Sequence, residues 1–198
     1  MNKLIGITGR TGLNGIAGCG KDTAAKIISE FLGYKIYGFA DPLYDMIQAG
    51  FGIDGHSEEW QDRVMKNATI PWLSSQERDI SLRYLLETLG TAWGRHRISN
   101  DIWIKVANKF INDNIEGVII HDVRFSDEFV WIKEKGGVII HIIRPNYFGN
   151  DATINHPSNI PLPILEDDKV IVNDGSLSDF KKKIKILLEE MNYEFKSN

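Results

Sequence analysis

A single cysteine, Cys19, stands among 198 residues, which excludes an internal disulfide and suits a reducing compartment. No apolar run approaches the ~20 residues that a membrane-spanning helix needs. The opening Met-Asn-Lys-Leu-Ile-Gly-Ile-Thr lacks the apolar stretch of a secretion signal. The expectation is a soluble, cytoplasmic protein with no membrane partner. Positive charge is not in excess either: 23 Lys and Arg against 27 Asp and Glu leave a net −4. That counts against a chain whose main task is gripping nucleic acid, although a local basic cleft is compatible with the sum. Internal repeats and low-complexity tracts are absent. So are a nucleophile elbow, a paired-cysteine site and a dinucleotide fingerprint with its downstream acid. The five histidines (His56, His96, His121, His141 and His156) follow no metal-ligand spacing, and His121 and His141 read as plain strand residues.

What is present is an ordinary globular composition, 42% apolar and 25% charged, with short apolar runs alternating with amphipathic segments. This is the pattern of β-α units around a parallel sheet. Strands are expected at 4–8, 35–39, 118–121, 138–143 and 170–172. Helices are expected at 22–32, from Asp41-Pro42 with the aspartate as cap, and at 82–93, 102–111, 127–135 and 177–191. The fold class is α/β, one domain with its core at 1–49 and 115–198. A helical insertion is expected at about 50–114, where no strand pattern is convincing. The stretch 144–166 carries four prolines and little periodicity and reads as a long lid loop. Lys181-Lys182-Lys183 reads as a solvated face.

The most informative segment is Gly15-Ile16-Ala17-Gly18-Cys19-Gly20-Lys21-Asp22-Thr23. It matches G-x-x-x-x-G-K, with Asp where Ser or Thr is usual. Glycines let the backbone curl so that successive N–H groups point at phosphate oxygens. The helix that follows adds its positive end, and Lys21 would reach the β- and γ-phosphates. Asp22 would hold Mg²⁺ directly or through water; its charge repels phosphate otherwise, so a divalent cation is expected to be obligatory. Thr23 would donate to an α-phosphate oxygen. The residues Gly9–Asn14 leave two registers open: a loop that begins at Gly9 with an insertion, or one that opens at Gly15. Gly18, Gly20, Lys21, Asp22 and Thr23 are common to both.

A second cluster follows the strand at 118–121. Asp122 stands where a metal-holding carboxylate would, with Arg124 two residues on and Arg144 at the end of the next strand. Phosphoryl transfer needs cations and a metal-bearing carboxylate around the moving group rather than covalent chemistry. Lys21, Asp122, Arg124 and Arg144 are therefore the candidate catalytic residues, and Asp22 and Asp122 the candidate metal ligands. A structural salt bridge is the competing reading for Asp122 and the arginines. The insertion adds Arg63, Arg83, Arg95, Arg97, Trp93 and Trp103, types that could fork a 5′-phosphate and wall a base. Core padding for Trp93 and solvated faces for the arginines are the plainer alternatives.

Gly20-Lys21-Asp22-Thr23 and Phe39-Ala40-Asp41-Pro42-Leu43 resemble the start of the deoxynucleoside monophosphate kinases of tailed bacteriophages. Leu85-Leu86-Glu87-Thr88-Leu89-Gly90-Thr91, Gly94-Arg95, Asp101-Ile102-Trp103, Asp122-Val123-Arg124-Phe125, Glu128, Gly136-Gly137, Arg144-Pro145 and His156-Pro157-Ser158 continue the likeness in order. It spans roughly residues 3 to 160. The resemblance implies a P-loop fold of the nucleoside-monophosphate-kinase type, with ATP and Mg²⁺, and phosphoryl transfer to a deoxynucleoside monophosphate. It implies an acceptor site in the insertion that draws on Asp41, Arg83, Glu87, Arg95 and Trp103. ATP and the monophosphate are the expected partners, nucleic acid is not, and a homodimer is compatible. The host cytoplasm is the expected location if the chain is phage-encoded. Glu87 and Ala92 depart from the family pattern in the acceptor region and leave base preference open. A P-loop kinase for another acceptor, such as dephospho-coenzyme A, and a nucleotide-binding regulatory or DNA-processing ATPase module are the remaining readings.

Overall fold

Isoleucine and valine fill most strand positions, as suits strands covered on both faces. In the computed structural model, residues 3–12, 18–114, 116–147 and 160–196 are described. Gly15, His156, Pro157, Ser158 and most of the expected lid lie outside them. Strands β1 (Leu4–Thr11), β2 (Lys35–Tyr37), β3 (Val118–Ile120), β4 (Val138–Arg144) and β5 (Lys169–Val172) pair in parallel in the order β2-β3-β1-β4-β5. The helices are α1 (Lys21–Leu32), α2 (Asp41–Phe51), α3 (Glu58–Gln61), α4 (Arg63–Asn67), α5 (Leu82–Glu87), a π-helix (Thr88–Ile98), α6 (Ile102–Asp113), α7 (Ser126–Glu134) and α8 (Leu177–Glu190).

The chain forms two compact units, Met1–Gly38 with Ala107–Asn198, and Phe39–Val106. Their boundaries fall about ten residues before the expected limits of the insertion. In the first unit, Ile5, Ile7, Ile119, Ile140, Ile142 and Ile171 cluster with Ala24, Ile27 and Ile28 of α1 and Phe180, Ile184 and Leu188 of α8. Each fully buried isoleucine contributes roughly 1.5–3 kcal/mol. Alternate residues of β1 face the other way: a Cβ on Gly6 would meet Ile132 of α7 and Ile139 of β4. In the second unit, Tyr44, Ile47, Ile53, Ile70 and Leu82 form a separate core.

β1 runs to Thr11, three residues past its expected end, because Gly9, Arg10 and Thr11 keep pairing with Ile142, Ile143 and Arg144. This overturns the register in which the phosphate loop begins at Gly9. Gly9 serves the strand instead, since the Sγ of Cys19 occupies the place a side chain there would take. Asp41 is also corrected: it is the first residue of α2 and Ala40 caps it, with no side-chain cap. The helix expected at 82–93 changes from α to π at Thr88. Gly94 lets Trp103 approach the backbone there: its ring fills the space beside Gly94, and its indole N–H donates to the Gly90 carbonyl at 2.8 Å.

The face of the sheet turned toward α7 carries a buried polar set. His141 Nε2 lies 3.0 Å from Asp168 Oδ2, Lys133 Nζ donates to Asp168 Oδ1 at 3.0 Å, and the Leu165 N–H donates to the same carboxylate. Burial pushes the His141 pKa below the usual 6.5, against the opposing pull of Asp168. An unfolded imidazole binds its proton first as pH falls, so the stabilisation from neutral His141 is complete above about pH 6.5 and is lost as pH falls through the lower native value. Unfolding free energy from urea titrations is expected to drop between pH 7 and 5, by at most about 1.4 kcal/mol per pH unit for this one proton. His141→Gln is expected to flatten that drop; an unchanged slope would remove His141 as its source.

Candidate phosphate-binding site

Gly18 and Gly20 both take left-handed backbone, φ 82 and 108, which glycine adopts without a steric penalty. α1 starts directly after Gly20, which caps it with no side-chain hydrogen bond. The cap residue thus offers no side-chain partner to the first-turn N–H groups, and the helix places positive potential at this end. Lys21 is the first helical residue and is buried, its Nζ 3.8 Å from Cys19 Sγ. Asp22 follows with its side chain 76% exposed, and Thr23 is exposed as well.

The imidazole beside Asp122 meets Asp22: His121 Nδ1 lies 2.8 Å from Asp22 Oδ1. β3 stops at Ile120, so His121 is not a strand residue, although strand alternation puts it on the same face as Ile119, toward α1. This is a site residue that the sequence reading passed over. The protein around Asp22 displaces water and pushes its pKa up, but the His121 hydrogen bond and the charges of His121, Lys21 and Arg124 outweigh that and hold it at about 2. Asp22 is thus a carboxylate at any physiological pH. Asp122 is buried, and the segment bearing it and Arg124 is braced by Glu128, whose carboxylate accepts the N–H groups of Arg124 and Phe125 at 2.8 and 3.1 Å.

Arg144, at the end of β4, donates from Nη1 to the Gly18 carbonyl at 3.1 Å, and its guanidinium lies over the Tyr147 ring at 4.8 Å. The same ring packs where a Gly18 side chain would stand. Gly18, Gly20, Lys21, Asp22, Thr23, Asp122, Arg124 and Arg144 thus all belong to the first unit. Asp22, Lys21 and Arg124 interact electrostatically, and Arg144 reaches the loop through Gly18.

An ionised, solvent-reached carboxylate at the head of α1 suits a hard cation such as Mg²⁺, which keeps several waters and takes one or two carboxylates plus phosphate oxygens. Among the described residues no group of three or more His, Cys, Asp or Glu side chains could cage a metal. Among those residues no helix is long and apolar enough to cross a membrane.

The expected acceptor residues lie in the second unit. Arg83 Nε donates to Asn67 Oδ1 at 2.7 Å. Arg95 is buried, its Nη1 donating to the Asn100 carbonyl at 2.9 Å. Glu87 ends α5 half-buried, and Asp41 opens α2 half-buried. Trp103 is only 6% exposed, whereas Trp93, for which core padding was the plainer alternative, is 41% exposed. The side chain of Arg63 lies outside the described residues.

The family model described as Deoxynucleotide monophosphate kinase matches residues 60–184. The deoxynucleotide monophosphate kinase of Enterobacteria phage T4 is 30% identical over 148 residues, which is 72% of this chain and 60% of that enzyme. The enzyme of the same name from Escherichia phage RB69 is 30% identical over 112 residues, 54% of this chain and 45% of its own. A protein of Acanthamoeba polyphaga mimivirus, carrying a provisional form of that name, is 29% identical over 182 residues, 87% of this chain and 92% of its own. The chain therefore spans 60% and 45% of the length of the two phage relatives. The crystal structure of a sugar kinase from a Janibacter species superposes with a TM-score of 0.50 at 12% identity, covering 98% of this chain and 96% of that one; at that identity the likeness concerns the fold. With a family match that takes in more than half of its residues, the chain belongs to the deoxynucleotide monophosphate kinase family.

Proposed function

We propose that the protein transfers the γ-phosphoryl group of ATP to the 5′-phosphate of a deoxynucleoside monophosphate, giving ADP and a deoxynucleoside diphosphate. An acceptor phosphate oxygen forms the new P–O bond while the bond from the γ-phosphorus to the β–γ bridging oxygen breaks and ADP leaves. One observation carries this reading: the left-handed Gly18 and Gly20 lead into a helix start that bears Lys21 and an ionised Asp22, with Arg124 close enough to act on the same carboxylate.

In this reading Gly18, Gly20 and Thr23 bind ATP. Lys21 and Arg124 supply the positive charge that phosphoryl transfer requires in its transition state. Arg144 holds the loop through Gly18. Asp22, with Asp122 as second carboxylate, would hold Mg²⁺, which when bound screens the phosphates from one another and from Asp22. His121 orients Asp22 for that contact. In the second unit Arg83, Arg95, Glu87 and Asp41 serve the acceptor. Trp103 shapes that unit from inside, and the exposed Trp93 offers the aromatic face.

The test is ADP release measured with each of the four deoxynucleoside monophosphates, dUMP, the ribonucleotides and dephospho-coenzyme A as acceptor. ADP release that depends on a deoxynucleoside monophosphate is the expected result. Hydrolysis that ignores every acceptor, or dependence on dephospho-coenzyme A alone, would refute the reading.

A further inference from the structure

The geometry points to Asn173 as a positioning residue of the phosphate loop, acting on it from 154 residues away along the chain. Asn173 follows the last residue of β5. Its backbone N–H donates to the Ile143 carbonyl at 2.7 Å, so it continues the β4–β5 pairing and is fixed by the sheet. Its side-chain Nδ2 donates to the Cys19 carbonyl at 2.9 Å, a half-buried bond. A Cβ built on Gly20 would meet that same Nδ2 at 2.7 Å. The amide of Asn173 therefore occupies the volume that Gly20 leaves by having no side chain. The glycine is needed for the fit as well as for its φ of 108.

The consequence follows from peptide geometry. No peptide bond among the described residues is cis, and in a trans peptide the C=O and the following N–H point in opposite directions. With the Cys19 carbonyl tied to Asn173, the Gly20 N–H faces away from Asn173. With the Gly18 carbonyl tied to Arg144, the Cys19 N–H faces away from Arg144. Two successive carbonyls are thus anchored by two side chains from the carboxyl ends of β4 and β5. Their paired N–H groups are set for an anion before it arrives, as in the amide concavities that bind phosphate. A loop ordered in advance spares the ordering cost on binding. Only a donor can do this at position 173: a carboxylate of the same shape would face a carbonyl oxygen and add negative charge beside a polyphosphate. Asn173 touches neither the donor nucleotide nor the acceptor in this account; it acts through Cys19 and Gly20.

The inference rests on the donor-site reading above, and the experiment separates the two. Wild type, Asn173→Ala and Asn173→Asp are titrated with magnesium and a non-hydrolysable ATP analogue, and KM is measured separately for ATP and for the acceptor. The expected result is a Kd for the analogue raised about tenfold in Asn173→Ala, the scale of one lost neutral hydrogen bond. Asn173→Asp is expected to be weaker still despite its matching shape, with the acceptor KM and the melting temperature of both variants close to wild type. Should the alanine variant not fold, the isosteric aspartate variant carries the comparison alone. Donor affinity unchanged in a folded variant, or donor and acceptor KM rising together with a lowered melting temperature, would overturn the role of Asn173. Absence of binding in the wild type would overturn the donor-site reading instead.

Discussion

Lys21→Met is expected to lower kcat on the order of a hundred- to a thousandfold, the usual cost of removing one charge-stabilising group from a transition state. Methionine keeps an unbranched stem in the buried position that Lys21 occupies at the first turn of α1, so the substitution isolates the ammonium rather than the packing. The melting temperature should change little. Acceptor KM should also change little, because the expected acceptor residues lie in the other compact unit. Initial rates at saturating ATP and acceptor, with a thermal melt on the same preparation, check all three. A variant that retains near-wild-type kcat would remove Lys21 from the chemistry.

Trp103→Ala is expected to destabilise the protein by roughly 3–5 kcal/mol, the range for truncating a buried aromatic ring to alanine. Total stability for a domain is commonly about 5–15 kcal/mol, so this one change could remove a third or more of it. The large figure follows from the setting: the ring is 6% exposed, lies where a Gly94 side chain would be, and its N–H satisfies the Gly90 carbonyl. Trp103→Phe keeps much of the ring but leaves that carbonyl without the indole donor, for an expected cost of about 1–3 kcal/mol. Urea unfolding of the three proteins reads both differences. If Trp103→Ala unfolds at the wild-type midpoint while losing acceptor affinity, the indole faces the acceptor and the packing account fails.

Much of the first unit was legible in the sequence because local chemistry decides it. The Ile- and Val-rich runs sit at the sheet's strands, within a few residues at each end, since a parallel sheet covered on both faces needs apolar residues at nearly every position. Gly18, Gly20 and Lys21 were legible for the same reason: a left-handed turn into a helix start leaves few alternatives to glycine. The extension of β1 to Thr11 was not, because it depends on β4 being equally long, a pairing no local pattern encodes. His121 could have been found. It lies two residues after Ile119, so alternation places it on the α1 face, next to the loop, and reading it as a plain strand residue hid it.

The second unit was less readable. The period of the 82–93 segment is that of an α-helix, and nothing local announces the change to π at Thr88; it accompanies the seating of Trp103 on Gly90 and Gly94, a contact between residues 9 and 13 apart. The same contact buries Trp103 while Trp93 stays exposed; composition says an indole will be buried somewhere without saying which. Asn173 was invisible for a simpler reason: its partner Cys19 is at the other end of the chain, and a lone asparagine after a strand looks like any other loop residue.

Isothermal titration of the folded wild type with magnesium and a non-hydrolysable ATP analogue, repeated with Lys21→Met, tests most directly whether the loop before α1 is a polyphosphate site. The account predicts saturable association in the wild type and an affinity at least about tenfold weaker in the variant, a difference of about 1.4 kcal/mol. No heat of binding in the folded wild type, or equal affinity in both proteins, would contradict it.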